Sequence, residues 1–166
     1  MNRISSISEL EKTEIPGTIP ELLRQQVDLT PNRKALVFFD QDKELTYEEL
    51  DYQVRSIANG LRQSGVRKGT HIGLMLPNCI EFPVTWLAIA WIGAVSVQLN
   101  PKFVPNELNY VLNDADIDFL ILDVGGLSSV VALENRPSSL LDKNIIVCGS
   151  TFDKNRFTPW TNLLAY

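Results

Sequence analysis

The residues able to do chemistry are few and scattered. His71 is the one histidine of the chain, and neither a Ser-His-Asp relay nor a histidine-metal set is complete around it. At the start of an apolar run it reads as structural. Cys79 stands where a helix should begin, a place that can lower a thiol pKa, although a small buried hydrophobe is the role favoured here. Cys148 lies far away in sequence and forms no CxxC pair with it. Asp114, Asp116 and Asp118 crowd together as in a calcium loop, but the glycine and closing glutamate of such a loop are missing, so a solvated turn is expected. Gly65, Gly69 and Gly73 match neither GxGxxG nor the Walker pattern and precede a strand, and are read as turn glycines. Asn78, Asn100 and Lys102 fall at strand ends and could face a ligand, with capping and turn duty as the competing account of the two asparagines. Trp86 and Trp91 sit in an apolar helix and are expected in the core. No residue is assigned as catalytic or metal-ligating, and cofactor-binding residues are unknown at this stage.

The elements that must position these residues centre on His71 to Pro101. His71–Leu76 is a short apolar run bounded by turn residues, as a strand covered on both faces should be. Asn78 and Glu81 are spaced as a capping pair for the helix that follows. That helix is apolar on every side through Ile92, so it should be buried. Gly93-Ala94 ends it, and Val95–Leu99 alternates like a strand. Strand, helix and strand make a right-handed crossover with parallel strands. The uncharged stretch from Phe82 to Pro101 is long enough to suggest a membrane span, but Gly93 and the alternating tail divide it, and no span is expected.

Residues 1–17 are expected to form a flexible leader ahead of one α/β unit over 18–166. Thr18 opens a short helix with an early proline, and Ala35–Phe39 and Glu44–Thr46 form a hairpin through Asp40–Lys43. Thr46 with Glu49 is the best capping box in the chain, Leu45 and Leu50 can staple its start, and Gly65 should provide the left-handed end. Beyond Pro101, Pro105 opens another helix, Asn113–Asp116 is a turn, Ile117–Leu122 is a buried strand, Gly125-Gly126 leads to a short helix, and Asn144–Cys148 is the last strand. Pro159-Trp160 with Leu163-Leu164 suggests a small docking turn. The expected fold class is α/β, with a mainly parallel sheet, helices on both faces and a short β-hairpin ahead of it. In such sheets a ligand lies outside the carboxyl ends of the strands, at a switch in strand order. Here those ends are Leu76-Pro77-Asn78, Asn100-Pro101-Lys102 and Asp123-Val124-Gly125.

Composition narrows the function classes. A net charge of −5 over 166 residues offers no basic face for nucleic acid. Hydrophobic content of 45% is ordinary for a globular protein. Two separated cysteines and an acidic, polar start without a signal-peptide core point to a cytoplasmic protein.

Leu45-Thr46-Tyr47-Glu48-Glu49-Leu50, Gly65-Val66-Arg67-Lys68-Gly69, Leu76-Pro77-Asn78, Gly93-Ala94-Val95, Leu99-Asn100-Pro101 and Asn106-Glu107-Leu108 together resemble, in order and spacing, the amino-terminal part of the adenylate-forming acyl-CoA synthetases, the AMP-binding ligases. The chain is most similar to acyl-CoA and carnitine-CoA-type ligases, over roughly residues 18–166. The resemblance implies activation of a carboxylic acid with ATP and Mg2+ to an acyl-adenylate, then transfer to coenzyme A. It also implies a phosphate loop and later acidic, arginine and lysine residues, none of which matches a stretch of these 166 residues. The chain is therefore expected to be the amino-terminal segment of a larger domain, inactive alone, with its active-site residues beyond Tyr166 and the remainder of the chain as its partner. Thr70 and Val104 depart from the family pattern, which has an aspartate and a Ser/Thr cap there. Two other readings stay open: a non-catalytic interaction module and a small nucleotide-binding α/β protein.

Overall fold

The computed structural model describes residues 17–165. The expected leader, apart from Gly17, lies outside them. Helix α1 (Ile19–Leu29) starts at Thr18, whose hydroxyl accepts from the Glu21 N–H. Strands β1 (Lys34–Phe38) and β2 (Lys43–Thr46) pair antiparallel across a turn in which Asp42 adopts a left-handed φ of 49°. They form a separate two-stranded sheet.

Helix α2 (Tyr47–Gln63) carries both halves of the expected capping box: the Glu49 N–H donates to Thr46 Oγ1, and the Thr46 N–H donates to Glu49 Oε2 at 2.8 Å. That backbone bond holds the Glu49 carboxyl below its ordinary range. At the other end Gly65 (φ 107°) receives the chain, and the Val66 and Gly65 amides bond back to the Leu61 and Arg62 carbonyls. This is the Schellman arrangement, which a residue with Cβ reaches only at a conformational cost.

The main sheet holds β3 (His71–Met75), β4 (Val95–Gln98), β5 (Phe119–Asp123), β6 (Ile145–Cys148) and β7 (Thr158–Pro159). Its order is β4-β3-β5-β6-β7, and every neighbouring pair is parallel. Cys148 does not close the last strand. Two further residues pair with β6, and Pro159 is tolerated there because β7 is an edge. The strand–helix–strand unit is present as expected, through α3 (Glu81–Ile92) and its left-handed Gly93. Helices α4 (Pro105–Asp114) and α5 (Leu127–Val131) connect β4 to β5 and β5 to β6.

Two cores result, one on each face. Ile72, Leu74, Ile121 and Ile146 pack with Val54, Ile57 and Leu61 of α2 and Val84, Ala88 and Ile89 of α3. Leu120, Leu122, Ile145 and Val147 point the other way, onto Leu108 and Leu112 of α4 and Val130 of α5. Gly73 is a packing glycine in the middle of β3, and no turn forms there. A Cβ at that position would come within 2.9 Å of Leu120 and 3.0 Å of Leu99. The last segment, a 3-10 turn over Trp160–Ala165, docks on the α2 side with Trp160 and Leu163 buried, as the sequence suggested.

Helix α3 departs from expectation. It buries Val84, Thr85, Ala88, Ile89 and Ile92, but Trp86 is 36% exposed and Trp91 is half-buried under the Arg24 guanidinium. Its apolar face is wider than the surface it covers. Helix α4 also runs further than expected and takes in Asn113 and Asp114, leaving Ala115 and the left-handed Asp116 (φ 47°) as the turn. The start of α4 is weak. Glu107 Oε2 accepts from the Val104 N–H at 3.2 Å, but Val104 has no oxygen to return the bond and lies 56% exposed. Val104→Ser should raise stability by about 1 kcal/mol by capping a free amide; equal or lower stability in a urea titration would show that the first turn of α4 is already satisfied.

Candidate functional site

Strand order reverses between β3 and β5: the chain leaves β3 for β4 on one side and returns to β5 on the other. The crevice beyond the carboxyl ends of these two strands is therefore where the fold can receive a ligand. One wall is Leu76-Pro77-Asn78-Cys79 and the first turn of α3. Asp123 begins the other wall, with its Oδ2 accepting the Gly125 N–H at 3.0 Å. Gly126 is buried behind it, so close that a Cβ would meet the Met75 methyl.

Asn78 does not cap α3. The helix begins at Glu81, with Ile80 before it and no side-chain cap. The cause is Pro83. A start at Asn78 would place the proline in the second turn, where a backbone N–H is needed, whereas a start at Glu81 puts it third, among amides with no intrahelical partner. The Asn78 side chain is thus exposed at the crevice without capping duty. Asn100 keeps the turn role expected of it: its Oδ1 accepts from the Lys102 N–H at 3.0 Å. Asn100 and Lys102 follow β4, on the other side of β3 from the reversal between β3 and β5.

Two residues that sequence reasoning passed over do reach it. The β1–β2 turn lays Gln41 and Lys43 against the start of α3: Gln41 Nε2 donates to the Asn78 carbonyl at 3.4 Å, and Lys43 Nζ pairs with Glu81 Oε1 at 3.2 Å. Burial raises the Glu81 pKa, but its own amide, Lys43 and Cys79 outweigh this by hydrogen bonding and hold the carboxyl below its usual value.

Cys79 lies at the helix start as expected, but its thiol is not activated. Burial pushes it up to about 11, and the neighbouring Glu81 charge adds to the effect. Burial raises the Cys148 thiol as well. Because the folded value of Cys79 exceeds the ordinary 9.0, this thiol stabilises the fold fully below about pH 9 and loses that contribution as the pH rises through 11. Alkylation of Cys79 by iodoacetamide should accordingly be slow at pH 8 and accelerate only above about pH 10; fast labelling at neutral pH would disprove the buried, protonated state.

The remaining candidates are structural. The His71 Nδ1–H donates to the Ala115 carbonyl at 2.6 Å. Asp114 accepts from the Tyr110 hydroxyl, Asp116 is the left-handed turn residue, and the Asp118 N–H bonds to the His71 carbonyl. Among the described residues no group of three or more His, Cys, Asp or Glu side chains is placed to hold a metal ion. None of their helices is long and apolar enough to cross a membrane.

Comparison with known proteins identifies this architecture. The AMP-binding enzyme family model matches residues 23–161. The chain belongs to the AMP-binding enzyme family. A 2-succinylbenzoate–CoA ligase of Oceanobacillus iheyensis is 39% identical over 104 residues, which make up 63% of this chain and 22% of the relative. Bacitracin synthase 2 of Bacillus licheniformis is 32% identical over 133 residues, 73% of this chain and 5% of that protein. Among solved structures, the anthranilate CoA ligase AuaEII in complex with anthranoyl-AMP superposes with a TM-score of 0.81 at 21% identity, over 93% of this chain and 29% of that one. That likeness establishes the fold. The chain spans about a fifth of the CoA ligase it matches and corresponds to the amino-terminal part of the family.

Proposed function

We propose that these residues are the amino-terminal segment of an ATP-dependent acyl-CoA ligase, which converts a carboxylic acid and ATP to an acyl-adenylate and then forms a thioester with coenzyme A. The observation that carries this reading is the family match over residues 23–161, together with a relative named as a CoA ligase at 39% identity. Residues 18–166 would be one α/β subdomain of a larger AMP-binding domain. The cell compartment that suits two unpaired cysteines is the cytoplasm.

The residues of the crevice do not fit a triphosphate. Its cation, Lys43, is already paired with Glu81, and Asp123 adds a further carboxylate. Such a donor set repels polyphosphate in place of stabilising the charge that develops on it. No reaction step is therefore assigned to these side chains. ATP, Mg2+ and coenzyme A would be held mainly by other parts of the whole protein, and residues 1–166 alone should not form an adenylate. What this segment supplies is the wall of the crevice: a rigid strand end at Leu76 and a free carboxamide at Asn78.

The test is acid-dependent exchange of labelled pyrophosphate into ATP, followed by thioester formation, with the whole protein and a panel of aliphatic and aromatic acids. Exchange with at least one acid, and transfer to coenzyme A, is expected. No exchange with any acid would overturn the ligase reading, and exchange by residues 1–166 alone would overturn the inactivity of the segment. A second reading, a non-catalytic interaction module, draws on the exposure of Trp86 and of Phe39 at the hairpin turn. The intact mass of the protein from its source cells separates the two: a value near 18.7 kDa favours the module.

A further inference from the structure

The opposite, amino edge of the sheet carries a feature that the ligase reading does not use. Arg62, Arg67 and Lys68 line a groove of about 400 Å3, with Gln63 on the rim and Val66 and Ile92 beneath. Among the described residues none of the three cations makes an ion pair, in a chain whose net charge is −5. Two of them are held in place. Arg67 Nη1 donates to the Arg62 and Val66 carbonyls, both at 2.8 Å, which fixes the guanidinium plane and leaves its other N–H groups for a ligand. The Lys68 stem lies over Gly93, where a Cβ would come within 3.3 Å of Lys68 Cγ. The loop beneath is pinned as well, with the Arg67 N–H on Thr70 Oγ1 and the Gly69 N–H on the Gly93 carbonyl, each at 3.0 Å.

The end of α2 points its carbonyls this way, and bare carbonyls would repel an anion. Here those of Gly60, Leu61 and Arg62 already accept from Ser64, Val66, Gly65 and Arg67. Beneath the cations Val66 is fully buried, and Ile92, 8% exposed, offers a small apolar edge to the groove. Three cations around a small groove suit an anion with several acceptor oxygens and more than one charge, and a fixed guanidinium suits phosphate in particular.

We propose that this groove binds a small organic phosphate ester, its phosphate between Arg62, Arg67 and Lys68 and its organic part along the Lys68 stem and the edge of Ile92. The test is a titration of the full chain with phenyl phosphate, inorganic phosphate and benzoate, following the backbone amide resonances of Val66–Gly69 and Gly93. Phenyl phosphate should saturate these shifts, with inorganic phosphate weaker by about tenfold and benzoate weaker still. Arg62→Gln and Lys68→Gln should each weaken phenyl phosphate binding by roughly tenfold. The Arg62 side chain is exposed and, among the described residues, makes no hydrogen bond or ion pair, so its variant reports binding more than stability. The absence of a saturable shift, affinities unchanged in both variants, or benzoate binding as well as phenyl phosphate would overturn the site. Equal affinity for inorganic phosphate and the ester would overturn the contact of the organic part with Lys68 and Ile92.

Discussion

Gly60→Ala should destabilise the protein by about 2–3 kcal/mol, although alanine is the better helix former. A Cβ on Gly60 would stand 2.6 Å from Leu163 Cα and 2.7 Å from the Leu163 carbonyl oxygen. These are backbone atoms and cannot rotate aside. In a free helix the exchange of glycine for alanine gains about 1 kcal/mol, so the two effects have opposite signs and the clash is the larger. The melting temperature should fall by roughly 5–10 °C. An unchanged or raised value would mean that the Trp160–Ala165 turn does not dock on α2 as described. Because that turn is short, it can also release locally, and the indole fluorescence of Trp160 should then shift towards that of an exposed ring before the sheet unfolds.

Trp160→Ala should have a larger effect, about 3–5 kcal/mol, since it empties a well-packed site. Trp160 is buried, and its Nε1–H donates to Thr85 Oγ1 at 2.9 Å inside the α3 packing layer. Thr85→Val removes the acceptor at nearly constant volume and leaves a buried donor unpaired, at a cost of about 1–3 kcal/mol. In a Trp160→Ala background the same change should be close to neutral. A double-mutant cycle by urea unfolding checks this, and additive effects would show that the two side chains do not act as a pair.

Both predictions concern the contact of the Trp160–Ala165 turn with α2 and α3, whose partner residues the sequence did not name, and the signals that delimit α2 show why. Every signal for α2 is local: Thr46, Glu49 and Gly65 lie within or beside the helix that they delimit. The alternation of strand and helix was legible for the same reason, because burial on both faces writes continuous apolar runs. Glycine 60 has no such local mark. Its reason is a segment about a hundred residues later in the chain, and only the fold brings the two together. The candidate crevice was legible as a place, from the strand ends, but not as a set of side chains. Gln41 and Lys43 reach it across 37 and 38 residues. Asn78 looked like a cap because its spacing to Glu81 was right, and the decisive residue was Pro83, which moves the helix start. The exposure of Trp86 had no sequence signal at all, since an apolar helix does not say which of its faces finds a cover.

The order of the sheet also bears on how the protein is made. β3 is the first strand of the main sheet to leave the ribosome, and it lies inside the sheet. Each later strand joins one already synthesised: β4 and β5 join β3, β6 joins β5, and β7 joins β6. Among the described residues no strand of this sheet waits for a neighbour that has yet to be translated. At about 5–20 residues per second, the sheet can therefore assemble outward in step with translation. A nascent chain that has emerged from the ribosome as far as Cys148 would already hold four of its strands in their final places.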